Sequence, residues 1–448
     1  MDRIEQKIVD AIEANAEEII RIGRKIWNHP ELGYKEQNTS KMFADFCIAH
    51  GLTVQKDLAV TGVKGYLKAP AEDQVTIALM GELDALPMSD SPYAHPETGA
   101  AHTCGHNAQM AGMMGTLLGL MDPEVKEALG GNIVFFAAPA EEFVEMEFKR
   151  GLMDQGKIGY GGGKSELIRI GAFDDIDLVL AHHIAPGTTL ALSNHKSNGF
   201  MSKIIRYNGV AAHAAEAPYE GVDALNAASV AMAAINCQRE SFREKDTVRV
   251  HGFISKGGEA MNVIANQITM EYSVRANNIP AILDANRKFD RAIRAGAVAT
   301  GCGVEIITMP GYLPVIPQQD TSFLEAALED AAGNYPVCPY DPGIVQGGST
   351  DLGEVSHLLP VYQFNTGGYE GNLHGKNTHP VDEYLAYVVT AKVFALAAYK
   401  LLKNNGEHAK KICSANNATM TKQTYTDYMT KYNSVETIPL EDATPPLL

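Results

Sequence analysis

The chain carries His102-Thr-Cys104-Gly105-His106-Asn107 soon after a strand-like run that ends Gly81-Glu-Leu-Asp84-Ala-Leu-Pro87. Further on stand Glu141-Glu142 and His182-His183. Thiolate, imidazole and carboxylate together are the donors of a site that binds a metal and activates water. Gly105 permits a tight turn that aims Cys104 and His106 at one point. A cysteine ligates as the thiolate, and a bound cation lowers its pKa enough for that. A Cys-x-His pair alone is more often a buried thiol beside a loop histidine; here the surrounding residues favour the metal.

Glu141-Glu142 follows an apolar strand and Ala137-Ala-Pro-Ala140. If one carboxylate binds metal, the other is placed to take a proton from water and hand it to a leaving amine. His182 and His183 are neighbours in extended chain and point to opposite faces, so only one of them is expected as a ligand. Near the C-terminus Gly347-Gly-Ser-Thr-Asp351 and His374 add a polar cluster, and His379 competes with His374 for a ligand role. A thiol enzyme with Cys104 as nucleophile is a competing chemistry, separable because it survives chelators. A metal-binding protein without catalysis is another, disfavoured by the intact Glu141-Glu142 pair.

These residues need a scaffold that gathers them. Val75–Met80, Asn132–Phe136 and Asp177–Leu180 read as buried strands. Helices are expected from Glu5 to Asn28, from Ser40 to His50, and over the small, Met-rich stretch Gln109–Met121. Alternating strands and helices predict an α/β layer with a mostly parallel sheet. Each candidate ligand follows a strand end, where open α/β sheets bind their ligands. From Ser197 the pattern changes to β-α-β-β-α-β, the order of a ferredoxin-like α+β sandwich. Its first strand, Phe200–Tyr207, alternates as though half exposed. The expected organisation is a catalytic domain in two parts, 1–196 and 310–402, with an inserted domain at 197–309. A clear helix at Tyr384–Leu402 closes the second part, and a polar tail, 403–448, ends in Ala443-Thr-Pro-Pro446.

At 448 residues the chain is too long for one ordinary core. Its formal charge of -17 and the lack of a basic stripe argue against nucleic acid as a partner. No run reaches the ~18 apolar residues of a membrane span, so no membrane is expected. The charged N-terminal helix has no apolar signal-peptide core. Six cysteines without pairing rhythm suggest reduced thiols and a cytoplasmic protein. All but Cys104 are expected to be buried small hydrophobes.

The chain resembles the dinuclear-metal aminoacylase and glutamate-carboxypeptidase family of peptidases, in its amidohydrolase branch with hippurate and indole-acetyl-amino-acid hydrolases. The resemblance spans about Arg24 to Leu402 and rests on four motifs found together. These are Asp84-Ala-Leu-Pro87, Cys104-Gly-His106, Pro139-Ala-Glu-Glu142 and Val210-Ala-Ala-His213. Gly348-Ser-Thr-Asp-Leu-Gly-Glu-Val-Ser356 looks most like the aminobenzoyl-glutamate hydrolase subgroup. The resemblance implies two divalent ions per subunit, held by Cys104, His106, Glu142, His183 and His374. Manganese or zinc is favoured, and cobalt or nickel also suits the donors.

By the same resemblance Glu141 would be general base and acid, with a water shared by the ions as nucleophile, and Asp84 would orient a ligand. The inserted domain would be a lid and dimerisation unit, implying a homodimer, and His213 and Asn262 would reach substrate. Arg275 is a candidate grip for a substrate carboxylate. The implied activity is hydrolysis of the amide bond in N-acyl amino acids, aminobenzoyl-glutamate-like compounds included. The alternative on the same scaffold is a dipeptidase or carboxypeptidase. Two departures stand out. Asn107 and Gln109 replace an Asp and a His common in relatives, and Phe143–Phe173 is longer than the family pattern.

Overall fold

The computed structural model describes residues 1–71, 74–416 and 418–440. The chain divides into two compact units. The first comprises Met1–His195, Ile316–Ile344 and Glu354–Lys422; the second comprises Lys196–Val315, Val345–Gly353 and the chain from Gln423 onward.

The first unit is built on a nine-stranded sheet. Four adjacent strands at its centre run parallel, in the order Asn132–Ala138, Thr76–Glu82, Leu178–Pro186, Val361–Glu370. They are apolar almost throughout, as strands covered on both faces must be. The helix His106–Leu120 is buried along nearly its whole length. Its small residues let neighbours approach closely: a Cβ on Gly112 would meet Thr390 Cγ2 at 2.3 Å. The expected helical run Glu5–Asn28 is two helices, Arg3–Ala14 and Ala16–Trp27, which turn at Asn15 and bury Ile8, Ile12, Ile19, Ile22 and Ile26.

Against the sequence expectation, one helical stretch, Tyr384–Ser414, is long and apolar enough to cross a membrane by length and composition. Its apolar window has a mean hydropathy of 1.6 and is 94% buried inside the protein. Counting an unbroken apolar run missed it because Lys392 and Lys400 interrupt the run. Both lysines pair with the N-terminal helix, at Glu13 and Glu5 respectively. Non-helical backbone at Lys403–Gly406 breaks the stretch.

The second unit contains a five-stranded sheet in the order Arg249–Lys256, Gln267–Ala276, Gly199–Asn208, Gly303–Pro310, Ser434–Ile438, antiparallel throughout. The first four strands, with helices Ala224–Cys237 and Ile279–Thr300, give the β-α-β-β-α-β sandwich. The strand Gly199–Asn208 is buried over most of its length, not half exposed. Lys203, within that strand, is fully buried because Asp290 Oδ1 at 2.7 Å and Thr308 Oγ1 at 2.6 Å satisfy its ammonium. The polar C-terminal stretch holds a helix, Lys422–Tyr432, and the sheet's fifth strand, Ser434–Ile438; Ala443–Pro446 lies outside the described residues.

The cysteine expectation holds only in part. Cys47 and Cys302 are buried, but Cys237 and Cys338 are exposed and Cys413 is half-buried. Cys237 ends a helix and Cys338 sits in a two-residue strand at the sheet's rim, so neither has a core to enter.

Candidate metal centre

The parallel arrangement brings the carboxyl ends of the four central strands to one edge of the first unit. Glu82 closes its strand, with Asp84 just beyond. Glu141 and Glu142 follow Ala138, where Ala140 adopts a φ of 47°. His183 lies in the second half of Leu178–Pro186, and His374 follows Glu370. Cys104 and His106 come from the start of the buried helix, on either side of Gly105 at φ 81°. A Cβ at Gly105 would lie 2.4 Å from the Ile184 side chain, so both conformation and space demand glycine.

Two groups of three donors share one sulfur. Cys104, His106 and His183 form the first, and Cys104, Glu142 and His374 the second. Cys104 Sγ is 3.2 Å from His183 Nε2 and 3.2 Å from His374 Nε2. His374 Nε2 is 3.3 Å from Glu142 Oε1. A third group, Glu82, His106 and Glu141, adjoins the first. Glu141 Oε2 stands 3.9 Å from His106 Nε2.

The residues fit divalent ions. His106 Nδ1 faces the Asp84 carbonyl at 2.8 Å and Asp84 Oδ1 at 3.2 Å, which places the ring proton on Nδ1 and leaves the Nε2 lone pair facing the cluster. His106 Nε2 and Glu142 Oε1 are buried polar atoms with no hydrogen-bond partner among the described residues. One orphaned atom in each of the two donor groups is what an ion at each would satisfy. Burial, reinforced by Glu142, pushes the Cys104 thiol well above its usual pKa, so a thiolate here calls for a cation beside it.

A family model described as peptidase family M20/M25/M40 matches residues 78–401, most of the chain and every donor named above. The chain belongs to that family. It is a hydrolytic enzyme acting on amide bonds. It is 28% identical over 388 residues to the Xaa-Arg dipeptidase of Mus musculus, covering 80% of this chain and 79% of that protein. It is 30% identical over 311 residues to one of the subunits of the p-aminobenzoyl-glutamate hydrolase of Escherichia coli K12, covering 66% and 57% respectively. A solved dinuclear metal-binding M20 peptidase of Bacillus subtilis shares the fold at a TM-score of 0.62 and 22% identity, over 87% of this chain and 99% of that one.

In this M20 hydrolase the candidate residues divide between the units. Cys104, His106, Glu141, Glu142, His183 and His374 cluster in the first, with Asp84 beside them. Asp84 Oδ2 accepts from the Glu142 backbone N–H at 2.9 Å, so one carboxylate orients both His106 and Glu142. His182 turns away and meets Thr366 Oγ1 at 2.8 Å, and His379 stacks on Tyr93. His213, Asn262 and Arg275 belong to the second unit. There the structure brings His213 and Asn262 together: the Ala214 N–H donates to the Asn262 carbonyl, and His213 bridges to Val263. His213 Nδ1 accepts from the Glu216 N–H at 3.0 Å, leaving Nε2 to carry the proton on an exposed ring. Arg275 donates to Ser349 Oγ and lies 4.8 Å over the Phe200 ring. Gly347–Asp351 also falls in the second unit, outside the donor groups.

Three buried residues escaped the sequence reading. Glu82 shares a strand face with Asp84 by the period of two, a signal that was available. Lys164 and Lys149 come from the long segment Phe143–Phe173, and nothing local marks them. Lys164 Nζ donates to Glu82 Oε1 at 2.6 Å, and Lys149 Nζ to the Glu142 carbonyl at 2.6 Å. Asn107 accepts from Tyr369 OH and donates to Tyr387 OH.

Proposed function

We propose that this chain is a binuclear metal-dependent amidohydrolase that cleaves N-acyl amino acids, aminobenzoyl-glutamate-like compounds among them. The observation that carries it is the pair of three-donor groups sharing Cys104, with a second carboxylate, Glu141, beside them. Cys104, His106 and His183 would hold one ion, and Cys104, Glu142 and His374 the other; zinc or manganese suits this mix of thiolate, imidazole and carboxylate. When bound, the ions acidify water and polarise the scissile carbonyl. Glu141 is the general base: its carboxylate takes the proton of the attacking water and returns it to the departing amine nitrogen. Asp84 holds His106 in the ligating tautomer. His213 Nε2–H and the Asn262 amide are donors suited to a developing oxyanion, and the Arg275 guanidinium suits a substrate carboxylate. A homodimer in a reducing compartment such as the cytoplasm completes the reading.

A dipeptidase is the second reading, supported by the wider coverage of the likeness to the Xaa-Arg dipeptidase. The test is a mixed panel of N-acyl amino acids, aminobenzoyl-glutamate and dipeptides, followed by mass spectrometry with a chelated control. Metal-dependent cleavage confined to acylated substrates is the expected outcome. Cleavage of free-amine dipeptides alone moves the enzyme to the second reading, and cleavage that survives chelation refutes both.

A further inference from the structure

Glu36 is fully buried, directly ahead of the helix Gln37–Ala49, and belongs to none of the three donor groups. A buried carboxyl group is costly unless its oxygens are satisfied, and both of these are. Oε2 accepts from Thr61 Oγ1 at 2.7 Å, and Oε1 accepts from the Ala140 backbone N–H at 2.8 Å. One side chain thus ties together the turn before the strand Gly62–Tyr66 and the turn after the strand Asn132–Ala138.

Ala140 gives the tie its importance. It directly precedes Glu141, and its φ of 47° lies in the left-handed region, which alanine adopts only at a cost. Such backbone persists where its surroundings over-determine it. Glu36 holds the Ala140 N–H, and the Ala140 carbonyl accepts from the Gly163 N–H at 3.1 Å. The chain also packs closely on this turn, since a Cβ on Gly33 would lie 3.1 Å from the Ala140 Cα. On the far side, Asp84 Oδ2 takes the Glu142 N–H and Lys149 Nζ donates to the Glu142 carbonyl. Glu141 therefore leaves a backbone that is pinned before it and after it.

We propose that Glu36 is a positioning residue for the general base. Through the Ala140 N–H it holds the left-handed turn that aims the Glu141 carboxylate at the donor groups. The inference rests on Glu141 as base and adds the residue that sets its direction. Without the acceptor, the buried Ala140 N–H loses its partner, and the preference of alanine for negative φ turns the chain away. A misplacement of ~1 Å at a reacting group is enough to cost about 10²-fold in rate.

The test is a double-mutant cycle on the metal-loaded, full-length enzyme, with the compound of the panel above that is turned over fastest as substrate. Glu36→Asp keeps the carboxylate but withdraws it by one methylene, and Glu36→Met removes both acceptors at similar size. Each is expected to lower kcat by about 10- to 100-fold, with KM within about 3-fold and both ions still counted in the same sample. Glu36→Gln is the rescue: its amide oxygen can accept from Ala140 and its NH₂ can donate to Thr61 Oγ1, so kcat should stay within about 3-fold. Burial and the nearby Asp84 carboxylate push the Glu36 carboxyl up to about 7, so a neutral side chain is tolerable there. In a Glu141→Gln background, Glu36→Asp should cost less than about 3-fold more, because the group it aims is already disabled.

Unchanged kcat in Glu36→Asp overturns the proposal. A full further loss in the Glu141→Gln background also overturns it, as the mark of a merely structural role, and so does loss of metal alongside kcat. Should Glu36→Met fail to fold, the Asp and Gln variants decide alone. No turnover across the panel, or wild-type turnover in Glu141→Gln, removes the base reading itself and this inference with it.

Discussion

His183 and His374 each stand 3.2 Å from Cys104 Sγ, yet the chain holds them in different ways. His183 sits in a central parallel strand, paired with Asn365 of Val361–Glu370, and its Nδ1 meets the Ile184 carbonyl. His374 sits on a loop, with its side chain 53% exposed and its backbone in the left-handed region at φ 60°. Its backbone N–H donates to the Thr103 carbonyl, on the loop that carries Cys104. One half of the centre is fixed by the sheet. The other is a strained loop residue, held by its surroundings and placed to adjust, as residues in sparsely populated backbone regions at working sites often are.

That contrast can be broken or sharpened by experiment, and the largest effect is expected where the halves act together. Glu141→Gln should lower kcat by about 10²- to 10⁴-fold while both ions remain bound, measured by steady-state kinetics with metal analysis of the same sample. Near-normal turnover would remove Glu141 as the base. Cys104→Ser strikes both halves at once and should abolish stable binding of two ions. A variant that retains both would take the sulfur out of the shared position.

His374→Ala separates the halves. It should lose one equivalent of metal and keep the other, seen by counting ions after dialysis; loss of both would mean that the sheet-borne half does not stand alone. Smaller effects belong to the frame. Lys203→Met, in the second unit, strips the partner from Asp290 and should cost ~3 kcal/mol or more in denaturant unfolding without changing the metal content. The smallest signal is chemical. Cys237 and Cys338 should alkylate quickly, whereas Cys47, whose thiol burial pushes up to about 12, should react only on unfolding.

Much of this was legible from residue type and order. The parallel core followed from apolar runs spaced by helices, and the metal chemistry from Cys104, His106 and the Glu141-Glu142 pair. The choice of His183 over His182 and of His374 over His379 came from family resemblance, and the structure gathers the same two histidines for a stated reason. The face of the strand decides the first, and the hydrogen bond to Thr103 fixes the second. Where prediction failed, a buried polar group was usually the cause. Lys203 is buried in a strand expected to be half exposed, and Lys392 and Lys400 break an apolar run, because a sequence does not reveal which distant carboxylate will receive each ammonium.

The sequence by itself determined the donor types, the glycine turn that aims two of them, and the strand ends from which they project. Those are local properties, set by side-chain chemistry and by backbone freedom at single positions. Only the tertiary structure decided that one sulfur faces two histidines from segments far apart in sequence. Only it decided that Lys164, 82 residues from Glu82, braces that carboxylate against His106. Such pairings depend on sheet order and on how loops return to it, and no local pattern encodes them.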